Sequence, residues 1–109
     1  MRVKFKFFPQ VYTSEGINPR RLFFIRQKIK RGKGGYFIIV PASRDDELLE
    51  IIGSGELKKS IYDGKRLIVG GISDDKEDAF KLVALMTEDC RRIRGDLNLK
   101  EFIACGQFF

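Results

Sequence analysis

The chain has 109 residues, 43% of them hydrophobic and 33% charged, and carries a net charge of +6. That size suits one domain, and the balance is globular rather than disordered. The absence of histidine removes imidazole as general base, triad member and metal ligand, and no apolar run reaches the ~18 residues that a membrane span needs.

Residues 2–8 alternate strictly, with Val3, Phe5 and Phe7 on one side and Arg2, Lys4 and Lys6 on the other. This is the period of a half-buried strand with a basic outer face. Pro9 weakens the strand's continuation or places it at a sheet edge, and the stretch from Ser14 to Pro19 reads as a turn or loop.

Residues 20–31 satisfy two patterns. Asn18 before Pro19 is a helix-start signal, and Leu22, Ile25 and Ile29 would share a helical face. As a strand, the segment turns at the glycines around Lys33 and pairs with Tyr36–Val40, setting Ile29, Gln27 and Ile25 opposite Tyr36, Ile38 and Val40. That register makes one face almost wholly apolar, so the hairpin is the expected form.

Beyond it, Ser43 caps an expected helix with Asp45 and Asp46 in its first turn and Leu48, Leu49, Ile51 and Ile52 on its apolar side. Gly53–Gly55 breaks that helix, and a second helical piece is expected from Glu56 to Ile61. Asp63-Gly64 turns the chain into a strand from Arg66 to Ile72. Ser73 opens the longest helix, with Asp74 and Glu77 at capping-box spacing. Its buried stripe reads Ala79, Phe80, Val83, Met86, Cys90 and Ile93, and Gly95 ends it. Residues 97–109 form a last strand or a short helix docked on the core.

The pattern predicts one α+β domain over residues 1–109. A single layer of mainly antiparallel sheet, built from the first strand, the hairpin and the later strand, carries two helices on one face. If residues 20–31 are helical, the order approaches a ferredoxin-like βαββαβ plan with an extra helix. The expected core includes Phe5, Phe7, Ile38, Val40, Leu67, Val69, Phe80 and Val83.

Several segments resemble sites without meeting their chemistry. Gly53–Ser60 has the outline of a phosphate loop, but Lys58 stands where a glycine must precede the Lys-Ser pair. Val69-Gly70-Gly71 leads into a helix start, yet Asp74, Asp75, Glu77 and Asp78 would repel an anion there. Those glycines fit close helix–sheet packing or a bulge instead. The pairs Asp45/Asp46 and Asp74/Asp75 suit helix dipoles better than a metal. Cys90 and Cys105 lack metal-type spacing and read as reduced thiols, which favours a cytoplasmic setting; the first residues lack the apolar centre of a secretory signal.

The functional signal is the charge distribution. Residues 1–36 hold ten basic groups and one acid, Glu15, whereas residues 37–109 hold eleven basic and fourteen acidic groups. The candidate anion or nucleic-acid contacts are Arg2, Lys4, Lys6, Arg20, Arg21, Arg26, Lys28, Lys30, Arg31 and Lys33, with Tyr12, Tyr36 and Phe37 near enough to stack bases. On a strand, Arg26, Lys28 and Lys30 would share one face at about 6–7 Å intervals, near the phosphate repeat of an extended nucleic acid. The alternative use for these cations is protection of a sheet edge against aggregation. The expectation is a small non-catalytic binding module needing no cofactor or metal, with an anionic partner such as nucleic acid and no membrane. A protein adaptor or self-assembling module is the alternative.

Overall fold

The computed structural model describes residues 3–41 and 49–105, with the side chains at 8–10, 100, 104 and 105 outside that description. Its four strands are β1 (Lys4–Thr13), β2 (Phe37–Pro41), β3 (Leu49–Gly53) and β4 (Arg66–Ser73), in the sheet order β1-β4-β2-β3. β1 runs parallel to β4, while β2 is antiparallel to both β3 and β4, so the sheet is mixed. The helices are α1 (Leu22–Lys30), α2 (Lys76–Arg94) and α3 (Leu99–Cys105), with 3-10 turns at Pro19–Arg21, Ser54–Lys58 and Ser60–Tyr62.

Helices cover both faces of this α+β sheet, not one. Ile38 and Val40 of β2 join Ile52 of β3 and Ile25 and Ile29 of α1 in one apolar cluster. The intervening Ile39 joins Leu82, Met86 and Cys90 of α2 and Leu99, Phe102 and Ile103 of α3 in another. Alternation along β2 thus feeds two cores. The parity slips in β4. Gly70 and Gly71 both approach the α2/α3 side, where a Cβ would lie 3.0 Å from Met86 Cε and 2.9 Å from Ile39 Cδ1 respectively. Two consecutive residues aimed the same way mark a bulge, and Val69 and Ile72 consequently return to the same face. Opposite it, the β1 register jumps between Phe7 and Tyr12. β1 is an edge strand among the described residues, the position that tolerates Pro9.

Residues 20–31 are not a hairpin strand. Asn18 caps the turn before α1 by accepting from the Arg20 N–H at 2.9 Å, with Pro19 following directly. β2 has no free edge to offer them, because Ile38 pairs with Ile52 on one side and Ile72 on the other. The ferredoxin-like plan does not follow from this helix. Only 3-10 turns lie between β3 and β4, α2 comes after β4, and the described chain closes on α3 rather than a strand.

The expected helix from Ser43 is overturned at its second half. Leu49–Gly53 is β3, whose apolar residues serve two covered faces. Ser43, Asp45, Asp46 and Leu48 lie outside the described residues.

α2 begins slightly later than Ser73 implied. Asp75 is its cap, accepting from the Asp78 N–H at 3.1 Å, while Ser73 Oγ donates to the Asp75 carbonyl at 2.6 Å. The helix ends at Gly95, as expected. Its buried line is Ala79, Leu82, Met86 and Cys90. Phe80, expected in the core, is 58% exposed, because it sits about 100° around the helix from Ala79. Ile38, Val40 and Val69 are buried, and Phe5, Phe7, Leu67 and Val83 are partly so.

Candidate anion-binding site

In this nine-residue helix only Ile25 and Ile29 are buried, with Leu22 packed partly beside them, so Phe23, Phe24 and the cations occupy its outer faces. Helical spacing then sorts its cations onto two flanks. Arg26 and Lys30 occupy one flank, over β1: the Arg26 guanidinium lies 5.2 Å and Lys30 Nζ 5.6 Å from the Phe7 ring centroid. Arg26 Nε is buried without a hydrogen-bond partner among the described residues, so this arginine serves packing and a cation–π contact more than an open surface. The strand-like row of Arg26, Lys28 and Lys30 is therefore broken by the helix.

Arg21 and Lys28 occupy the other flank, facing a cleft of about 480 Å³. Lys33, Gly34, Gly35 and Tyr36 form its second wall; Ile17 and Ile25 contribute apolar lining, and Gly16, Asn18 and Asp74 complete the rim. Three of the ten candidate contacts thus converge in one concavity. Of the others, Arg20 and Arg31 are exposed beside it on the chain. Lys4 and Lys6 alternate with Phe5 and Phe7, which face the α1 core, and so project from the opposite face of the sheet. Arg2 lies outside the described residues.

The cleft's loop is anchored from below. Buried Ser54 donates through its Oγ to the Lys33 carbonyl at 2.5 Å and accepts from the Tyr36 N–H at 3.2 Å. Its own N–H donates to the Tyr36 carbonyl at 2.7 Å, and the Lys33 N–H donates to the Lys28 carbonyl at 3.0 Å. Gly35 has φ +106°, a conformation that a side-chain-bearing residue enters only with strain. The segment with the outline of a phosphate loop therefore has a different role, because its Ser54 braces the wall that carries Lys33. On the rim, Asp74 accepts from Ser14 Oγ at 3.1 Å, and its carboxylate packs against Gly16 so closely that a Cβ there has no room.

The electrostatics separate this region from the rest of the surface. Every ion pair among the described residues lies elsewhere: Lys59–Glu56, Lys81–Asp78, Arg91–Glu88, Arg92–Asp89 and Arg94–Asp96. None of the nine described candidate cations forms an ion pair with another described residue. Beside them, Phe23 and Phe24 stand 65% and 63% exposed, with ring centroids 5.7 Å apart and nearly perpendicular. Sequence reasoning missed this pair, although the helical alternative already placed both off the Ile25/Ile29 face.

The aromatics singled out in the sequence divide. Tyr36 lines the cleft, whereas Phe37 is partly buried at the start of β2. Tyr12 donates to Asp89 Oδ2 at 2.6 Å on the other face; burial, then the Asp89 hydrogen bond and charge, push its phenol well above the ordinary range. Burial likewise raises the Cys90 thiol, which is free. Among the described residues no cluster of acidic or cysteine side chains could hold a metal, and no helix is long and apolar enough to cross a membrane. Neither a scan against protein-family models nor searches of curated proteins and of solved structures finds a match.

Proposed function

We propose that the protein is a non-catalytic binding module for a phosphate-bearing polyanion, nucleic acid being the leading candidate, engaged through α1 and the loop that follows it. The observation that carries this reading is the convergence of Arg21, Lys28 and Lys33 on one cleft, with no ion-pair partner for any of them among the described residues. Unpaired cations around a concavity focus positive potential and attract phosphate without needing a base-reading motif. Arg20 and Arg31, exposed beside the cleft on the chain, extend that potential. Contacts of this kind position a backbone and do not read sequence, so binding is weak, sequence-indifferent and salt-sensitive. The free thiol of Cys90 supports a reducing, cytoplasmic setting.

The test is titration of labelled oligonucleotides of unrelated sequence at low and at physiological salt, beside a variant carrying Arg21→Glu, Lys28→Glu and Lys33→Glu. The wild type binds at low salt and the variant binds at least tenfold more weakly. Absence of wild-type binding at low salt, or equal binding by the variant, refutes the reading. A second reading, a protein adaptor or self-assembling module, draws on the exposed Phe23–Phe24 pair. A concentration-dependent dimer in light scattering that Phe23→Ser abolishes would favour it.

A further inference from the structure

The cleft and the exposed phenylalanines are parts of one surface. Phe24 lies three residues after Arg21 and four before Lys28, the two separations that bring helical side chains together. Both of those cations line the cleft, and Phe24 is 63% exposed. An exposed aromatic ring therefore neighbours two of the cations that line the cleft, which Tyr36 also lines.

The lining also carries both signs of charge. Three cations come from α1, the turn before it and the following loop, while Asp74 contributes a carboxylate from the rim. Ser14 holds that carboxylate, and Gly16 packs beneath it. A simple polyphosphate gains from the cations but is repelled by Asp74. A nucleotide has an anionic end for Arg21, Lys28 and Lys33, and hydroxyl or amino donors for Asp74. A cleft of about 480 Å³ falls in the range of small-molecule sites, room for one nucleotide unit but not for a stacked base pair.

We infer that the partner is single-stranded nucleic acid, held with one nucleotide in the cleft and a neighbouring base stacked on Phe24. This rests on the polyanion reading and narrows it. Duplexes hide their base faces, so they can use the cations but not Phe24. Aromatic stacking is tolerant of base identity, consistent with a site that has no base-reading pattern.

The experiment compares three probes of equal phosphate number on the full chain at low salt: a single-stranded oligonucleotide, a duplex, and inorganic polyphosphate. It does so for the wild type, Phe24→Ala, and Phe80→Ala as a control on α2. The single strand is expected to bind at least tenfold tighter than either competitor. Phe24→Ala is expected to weaken it about tenfold, the scale of losing one stacked base, while leaving polyphosphate binding and the Phe80→Ala control unchanged. Equal binding of duplex or polyphosphate, or indifference to Phe24→Ala, overturns the single-strand inference and leaves the polyanion reading standing. Failure of all three probes overturns both.

Discussion

Gly71→Ala tests how β4 packs against β2 and against α2 on one face of the sheet. The new Cβ would lie 2.9 Å from Ile39 Cδ1, 3.3 Å from Ile39 Cβ and 3.4 Å from Met86 Sδ. Ile39 is fully buried and sits on β2, directly paired with Gly71. A χ2 turn can move Cδ1, but β-branching holds χ1 and the Ile39 Cβ at 3.3 Å is tied to its backbone, so relief of that contact requires moving the strand. Overpacking of this kind costs about 1–3 kcal/mol, and the stiffer unfolded chain returns about 0.4–1 kcal/mol. Taking the middle of each range, the net loss is about 1.3 kcal/mol. Gly70→Ala is the internal control. Its Cβ meets Met86 Cε and Ile103 Cδ1 at 3.0 Å, both ends of side chains, and methionine yields readily. Its net effect is expected within about 1 kcal/mol of zero. Urea unfolding followed by circular dichroism reads both, with a lower midpoint and unchanged slope for Gly71→Ala. A Gly71→Ala variant as stable as wild type, or less affected than Gly70→Ala, would refute the packing of β4 against β2 and α2.

Other consequences follow from single side chains. Phe102→Ala, at a fully buried position, is expected to cost about 3–5 kcal/mol, whereas Phe80→Ala should stay within about 0.5 kcal/mol of wild type in the same unfolding assay. Because the Tyr12 phenol titrates higher folded than unfolded, its contribution is complete below the unfolded value near 10 and declines as pH rises above it. Tyr12→Phe should therefore flatten the alkaline loss of stability while costing about 1–2 kcal/mol at neutral pH through the Asp89 hydrogen bond; an unchanged alkaline slope would contradict this. Cys90, buried and with its thiol raised, should react with a thiol reagent slowly in the native protein and promptly once unfolded. Prompt native labelling mapped to Cys90 would contradict its place in the α2/α3 core.

Local signals in the sequence match the fold where one face of an element is polar or a breaker is sharp. The alternation in β1 is visible because Lys4 and Lys6 leave one face polar, and Gly95 marks the end of α2 by its position after the last apolar residue. The segment 49–53 misleads for the opposite reason. Both faces of β3 are covered, Leu49 and Ile51 on one side and Ile52 on the other, so period-two contrast disappears and the run imitates a helix. Residues 20–31 are ambiguous because Ile25 and Ile29 fall on one face under either geometry. The deciding fact is non-local: Ile38 is taken by Ile72, far along the chain.

The site is legible in part. The basic segment is plain, and Asn18-Pro19 with Arg21 and Lys28 at seven-residue spacing is consistent with one helical flank. Convergence with Lys33 and Asp74 is not legible, since it depends on Ser54 anchoring the loop and on β4 delivering Asp74 beside Gly16. Nor can sequence separate Arg26 and Lys30, drawn onto Phe7, from the cations left open to a ligand.

The central claim, that cleft cations meet phosphates directly, is tested most directly by the salt dependence of oligonucleotide affinity. For a single strand, the slope of log K against log salt steepens by about 0.7 for each phosphate neutralised. Lys28→Gln combined with Lys33→Gln removes two such contacts and should make the slope shallower by about 1.4. An unchanged slope, with affinity lowered equally at every salt concentration, would contradict the claim and show that these lysines act on the fold rather than on the ligand.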